Sequence, residues 1–214
     1  MKRAAFFDLD LTITNLDSFR LFLRHFYRRR RRIYIPYILL FLVLRKLRII
    51  SLHTFKEHAL IGLRGKTKNE IKLIGVEFFQ NHLQKTIREH ALLRIRKHQR
   101  NNESIYIVSA SPDIYLQAIS QHLNCDGYIC SKLHYKRFKF SGTLSGKDCI
   151  GAEKKQRVEQ LANTLLIDLK NSSAYSDHEA DLPFLETVGN IFAISPSRRL
   201  HTIARRKNWI IEHW

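Results

Sequence analysis

An apolar tetrad near the N-terminus, Ala4-Ala5-Phe6-Phe7, runs directly into Asp8-Leu9-Asp10-Leu11-Thr12. So short and unbroken an apolar run reads as a strand buried on both faces. Such a strand belongs inside a parallel sheet covered by helices. Two carboxylates then emerge where the strand ends, and in open α/β sheets ligands bind at the carboxyl ends of strands. Acids placed there repel each other and are costly unless a cation or a phosphoryl group uses them. The pentapeptide alone is a weak pattern; its position after a first strand is what constrains the fold.

The same arrangement recurs downstream. Ile105-Tyr106-Ile107-Val108 reads as a second strand, ending at Ser109 and followed by Ala110, Ser111 and Pro112. Ser111 as N-cap and Pro112 at the first helical position predict a helix over 112–123. Gly151-Ala152-Glu153-Lys154 opens another helix, over 152–162, and places a cation near its start. Ser173-Ala174-Tyr175-Ser176-Asp177 is again a strand end, with Asp181 four residues beyond. Strands are expected at 128–130, 135–140, 191–194 and 209–211, with Ser141-Gly142-Thr143 as a turn. Helices are expected at 180–187 and 198–207. Strands alternating with helices imply a parallel three-layer α/β core.

In this order and at strand ends, these residues resemble the four motifs of the haloacid dehalogenase superfamily of phosphohydrolases. The closer match is its phosphoserine-phosphatase-like subfamily. Val108-Ser109-Ala110-Ser111-Pro112, Tyr175-Ser176-Asp177 with Asp181-Leu182-Pro183, and Ala204-Arg205-Arg206-Lys207-Asn208-Trp209 look typical of it. The resemblance implies a Rossmann-like α/β core, residues 1–15 and 100–214, with a parallel sheet and a C1-type helical-bundle cap inserted at 16–99. It implies Asp8 as nucleophile and Asp10 as general acid and base. Thr12, Ser109, the Ala110 backbone and Lys154 would hold phosphate. Asp8, the Asp10 carbonyl and Asp177 would bind Mg²⁺, with Asp181 in support. Lys155 is the second candidate for the role of Lys154. Leu11 departs from the pattern, since many relatives have Gly there.

The net charge is +18. Residues 16–100 hold 21 Lys+Arg against 5 Asp+Glu, a balance of +16, so the excess belongs almost wholly to the insertion. Phe19, Phe22, Leu23 and Phe26 recur at helical spacing after Asn15 or Asp17 as cap, and Thr67-Lys68-Asn69-Glu70 is a capping box. Between them, Arg28–Arg32 precede twelve apolar residues, 33–44, followed by Arg45, Lys46 and Arg48. Twelve residues cannot span a bilayer, which needs about 20. Two readings stay open: a helix buried in the cap, or an interfacial helix with anionic headgroups on its arginines. The second allies the chain with the subfamily's phosphatidylglycerophosphate phosphatases, whose caps are similarly basic and apolar.

Three Cys at 125, 130 and 149 lack metal-site spacing and suit a reducing compartment. The apolar stretch after Met1 is cut short by Asp8 and Asp10, which argues against a signal peptide. A cytoplasmic protein is therefore expected, with contact at the inner face of the membrane as its companion reading. A pI near 10.1 raises nucleic-acid binding without catalysis as the competing class. The mixing of basic residues with a long aliphatic run, and the lack of a nucleic-acid motif, argue against it.

Overall fold

The computed structural model describes residues 2–30 and 32–214, and at positions 29 and 30 the backbone alone. Of the basic run Arg28–Arg32, Arg31 and the side chains of Arg29 and Arg30 thus lie outside the described residues.

Every residue of β1 (Ala4–Phe7) is buried, and alternation of side chains divides the tetrad between two faces. Ala5 and Phe7 belong to one hydrophobic cluster, Ala4 and Phe6 to another. The partners are β2 (Ser104–Pro112), β3 (Gly127–Lys136), β4 (Lys139–Ser145), β5 (Ser173–Ser176), β6 (Asn190–Ile194) and β7 (Ile210–Glu212). Among the described residues they form one sheet in the order β4-β3-β2-β1-β5-β6-β7, parallel except for the antiparallel β3–β4 hairpin. The fold is the α/β architecture expected.

Helices cover both faces. Ala91 and Ile95 of α5 (Glu89–Arg100) and Leu116 and Ile119 of α6 (Leu116–His122) join the cluster of Ala5 and Phe7. Val158 and Ala162 of α7 (Ala152–Leu165), Phe184 of α8 (Leu182–Leu185) and Leu200 of α9 (Arg198–Arg206) join that of Ala4 and Phe6. The chain runs from β1 outward through β2 and β3, then returns to β5 on the other side. That reversal beside β1 leaves a crevice at the carboxyl ends of β1, β2 and β5.

The insertion contributes α1 (Ser18–Arg30), α2 (Ile35–Lys46), α3 (Leu52–Ala59) and α4 (Lys68–Phe78). Asp17 caps α1 by accepting from the Arg20 N–H at 2.8 Å, and the Thr67–Glu70 capping box starts α4. Each cap stabilises its helix by about 1 kcal/mol. These helices have no core of their own. Phe19, Phe22, Phe26 and Phe78 are continuous with Tyr115 and Phe7 in one buried cluster. Gly75 permits this contact at α4, where a Cβ would sit 1.8 Å from the Ile114 carbonyl oxygen. The last helix of the segment expected as cap, α5, packs on β1 and β2, as the crossover between parallel strands requires.

Two local expectations need correction. The helix placed at 112–123 begins only at Leu116, because β2 continues to Pro112, which pairs with Ser131 across a register shift. The turn placed at 141–143 lies inside β4. The hairpin turns instead at Arg137 and Phe138, both at positive φ. Finally, of the two readings of 33–44, the structure gives a mixture: Ile38, Phe41 and Leu42 of α2 pack against the core cluster, but none is fully buried, and Leu39, Leu40 and Val43 are each half exposed or more. No helix among the described residues is long and apolar enough to cross a membrane.

Candidate active site

Asp8 follows β1 directly and Thr12 lies in the wide turn after it, Leu9–Ile13, which is sealed by the Thr14 N–H donating to the Leu9 carbonyl at 2.9 Å. Within it Leu11 takes φ 60°, the left-handed region, at a cost of about 1–2 kcal/mol for a residue with a side chain. Glycine would take this conformation without that cost. Strain persists where the surrounding structure over-determines it, as at functional sites.

The residues singled out in the sequence meet at the crevice. Lys154, on the first turn of α7, is buried, and its Nζ donates to Asp8 Oδ1 and Asp181 Oδ2, both at 2.6 Å. Ser176 Oγ donates to the same Asp181 oxygen at 2.7 Å. Asp177 follows β5, its main-chain carbonyl fixed by the Ser197 N–H at 2.8 Å. Ser109, on β2, is fully buried, and its Oγ accepts from the Ser111 N–H at 3.0 Å. Lys155 points away, exposed beside Glu159. Among the described residues Thr12 Oγ1 is the buried side-chain polar atom with no hydrogen-bond partner. A buried hydroxyl left unpaired costs about 1–3 kcal/mol, which makes Thr12 Oγ1 a candidate donor for a ligand oxygen.

Sequence reasoning missed the support around Asp10. Its Oδ1 accepts from the Ser18 N–H at 2.6 Å, and its Oδ2 from Ser111 Oγ at 2.9 Å. Ser18 Oγ in turn lies 3.2 Å from Ser111 Oγ and 2.9 Å from the fully buried Tyr115 hydroxyl. Ser18 and Tyr115 are separated from each other by almost a hundred residues, so only long-range packing could reveal them.

Electrostatics distinguish the four acids. Burial pushes Asp8 well above the usual carboxylate range; Lys154 pulls it down, while Asp181, Asp177 and Asp10 push it further up. Burial also raises Asp10, against the hydrogen bonds of Ser18 and Ser111, and lifts Asp177 to about 6. For Lys154, burial works against the charge, but Asp181 and Asp8 outweigh it and raise its pKa. Among the described residues Lys154 is the basic side chain bonded to these acids, and it serves two of the four. The surplus negative charge, and an oxygen-only donor set, suit a hard divalent cation. No group of three His, Cys, Asp or Glu side chains forms a cage among the described residues. Asp8, Asp177 and a backbone carbonyl at Asp10 would instead leave several positions to water, as Mg²⁺ prefers.

A family model for haloacid dehalogenase-like hydrolases matches residues 5–186. The chain belongs to that family. Within it, this hydrolase is 27% identical to phosphoserine phosphatase SerB1 of Mycobacterium tuberculosis over 97% of its own length and 70% of that protein. It is 26% identical to an inhibition of morphological differentiation protein of Streptomyces azureus, covering 98% of the chain and 78% of the relative. Among solved structures, a Bordetella pertussis protein of unknown function superimposes with a TM-score of 0.88 at 23% identity, over 99% and 98% of the two chains. A substrate-bound phosphoserine phosphatase gives 0.66 at 16% identity, over 100% and 93%. These structures share the fold, and the family match bears out the haloacid dehalogenase resemblance of the motifs.

Proposed function

We propose that this hydrolase is a Mg²⁺-dependent phosphomonoesterase working through an aspartyl-phosphate. The observation that carries the reading is the Asp8–Lys154–Asp181 bridge at the carboxyl end of β1, with the unpartnered Thr12 hydroxyl beside it in sequence. Lys154 grips Asp8 Oδ1, which leaves Oδ2 to attack phosphorus. As that bond forms, the ester P–O bond breaks and the leaving oxygen takes a proton from Asp10. Asp10 then accepts a proton from water, whose oxygen attacks the phosphoryl group and frees inorganic phosphate and the Asp8 carboxylate. Thr12, Ser109 and the Ala110 N–H hold phosphoryl oxygens, and Lys154 balances their charge. Asp8, the Asp10 carbonyl and Asp177, with Asp181 in support, would hold Mg²⁺, which would supply further neutralisation of the transferring group. The test is phosphate release across amino-acid, sugar, nucleotide and lipid monophosphates. Activity with Mg²⁺ that disappears with a chelator and returns on re-addition is expected. Turnover indifferent to chelation sinks the metal-dependent reading.

A second observation favours a lipid phosphomonoester handled at a membrane surface. A cavity of about 720 Å³, within the usual ~300–1,000 Å³ of ligand pockets, lies among α1, α2 and α3. Leu23, Ile38 and Phe55 line it, and Arg20, Arg24 and Arg45 surround them. Asp17, which also lines it, precedes the Ser18 whose N–H holds Asp10. The exposed face of α2 lies between Arg28 and Arg32 on one side and Arg45, Lys46 and Arg48 on the other. Each basic residue near an anionic surface contributes on the order of 1 kcal/mol, and each newly buried aliphatic side chain about 1.5–3 kcal/mol. After ordering costs this supports weak, reversible attachment. The wild type is expected to pellet with phosphatidylglycerol vesicles and to release phosphate from phosphatidic acid. Leu39→Asp/Leu40→Asp should stay in the supernatant while keeping turnover of p-nitrophenyl phosphate. Equal pelleting of the two proteins removes α2 from the reading.

A further inference from the structure

Lys56, on α3, is 3% exposed, and a lysine is almost never so deeply buried without dedicated partners. Its Nζ lies 3.1 Å from Asp148 Oδ2, which accounts for the charge. It also donates to the main-chain carbonyl of Ala110 at 2.7 Å. That carbonyl lies between Ser109 and Ser111 in the stretch of β2 where the register shifts, so a side chain of the insertion reaches the core's own candidate phosphate-binding segment.

The consequence follows from the planarity of the peptide unit. The Ala110 carbonyl and the Ser111 N–H belong to one plane and point in opposite directions. Lys56 fixes the carbonyl edge, aided by Ser131, whose hydroxyl is shared between that carbonyl at 2.9 Å and Asp148 Oδ1 at 3.2 Å. The opposite edge, the Ser111 N–H, donates to Ser109 Oγ at 3.0 Å. With one lone pair of Ser109 Oγ so engaged, its O–H is left to donate outward. A cation on the carbonyl also polarises the peptide and strengthens the N–H as a donor.

We propose that Lys56 is a positioning residue for phosphate: it acts through the Ala110–Ser111 peptide to aim the Ser109 hydroxyl. The inference rests on the reading of Ser109 as a phosphate ligand. Asp148, packed also against His53 at 3.6 Å, holds Lys56 on the carbonyl and away from the phosphate itself. Asp148 and its neighbour Cys149, whose N–H donates to Ser131 Oγ at 3.1 Å, lead directly into the turn that begins α7 and carries Lys154. One buried network therefore ties the cap, the Ser109 segment of β2 and the Lys154 helix together.

The test is a cycle of Lys56→Met and Ser109→Ala, read by orthovanadate inhibition and p-nitrophenyl phosphate turnover. Lys56→Met is expected to weaken vanadate inhibition by about tenfold to a hundredfold, the scale for a partner acting through the group that touches the ligand. In the Ser109→Ala background the same change should add less than about threefold, because the pathway has already lost its end. Lys56→Met leaves Asp148 buried without its cation, so Lys56→Met/Asp148→Asn is assayed in the same cycle to keep charge balanced. Wild-type inhibition of the folded Lys56 variants, or losses that simply multiply with Ser109→Ala, overturns the proposal. If Ser109→Ala alone leaves vanadate inhibition unchanged, the phosphate-ligand reading of Ser109 fails, and this inference with it.

Discussion

Asp8→Asn is expected to reduce Mg²⁺-dependent release of p-nitrophenol from p-nitrophenyl phosphate by about 10⁴-fold or more, the scale on which loss of a nucleophile is felt. The substitution isolates chemistry from architecture. The asparagine oxygen can still accept from Lys154 Nζ, and the main-chain N–H at position 8 still donates to the Tyr175 carbonyl at 2.9 Å. What disappears is a carboxylate able to attack phosphorus. Stability should change little, since burial and Asp181, Asp177 and Asp10 disfavour the charged carboxyl against the pull of Lys154, and Lys154 keeps Asp181 as its ion-pair partner. A thermal melt coinciding with wild type, together with lost turnover, supports the mechanism. A variant that turns over at the wild-type rate eliminates Asp8 as nucleophile.

The parts of this fold that could be read from sequence are those written locally. Ala4–Phe7 and Ile105–Val108 are apolar runs too short for helices, and each ends in residues with chemistry. Their places in the sheet follow from the right-handed crossover habit of parallel strands. The candidate site was legible for the same reason: Asp8 and Asp177 each stand just after a strand, Ser109 directly after the apolar run of β2, and Lys154 in the first turn of a helix.

Other features depend on distant neighbours. Pro112 looks like the first residue of a helix, yet pairing with Ser131 holds it in β2 and redirects Ser111 to Asp10. The β3–β4 turn places both Arg137 and Phe138 at positive φ, the two-residue hairpin geometry that ordinarily announces itself by Asn-Gly. Neither residue carries that signal, while Gly142, which does resemble one, is used inside β4 at φ 97°. The apolar run 33–44 has a composition equally suited to a core or to a surface that meets lipid, and only its packing shows that one face is partly covered while Leu39, Leu40 and Val43 are left exposed.

Lys154→Met should be damaging on two counts, which Lys155→Met, its surface neighbour paired with Glu159 at 3.8 Å, should not share. Removing the buried cation strands Asp8 and Asp181, whose oxygens both lie 2.6 Å from its Nζ. Breaking a buried ion pair from one side costs about 3–5 kcal/mol. For a domain of this size that is a fall in melting temperature of roughly 6–20 °C. Turnover should fall by about 10²–10³-fold as well, since a preorganised charge on the transferring group is lost.

The pH dependence gives the sign. Without Lys154 the buried Asp8 loses the interaction that lowers its pKa and keeps those that raise it. Its folded pKa then stands still further above the unfolded value. The folded state binds more protons than the unfolded state between those two values, so this contribution to stability falls as pH rises. The gap in melting temperature between Lys154→Met and wild type should therefore be widest near neutrality and narrow toward pH 5. A gap that widens on acidification, or a variant that melts and turns over like wild type, places the cationic anchor of this site elsewhere than Lys154.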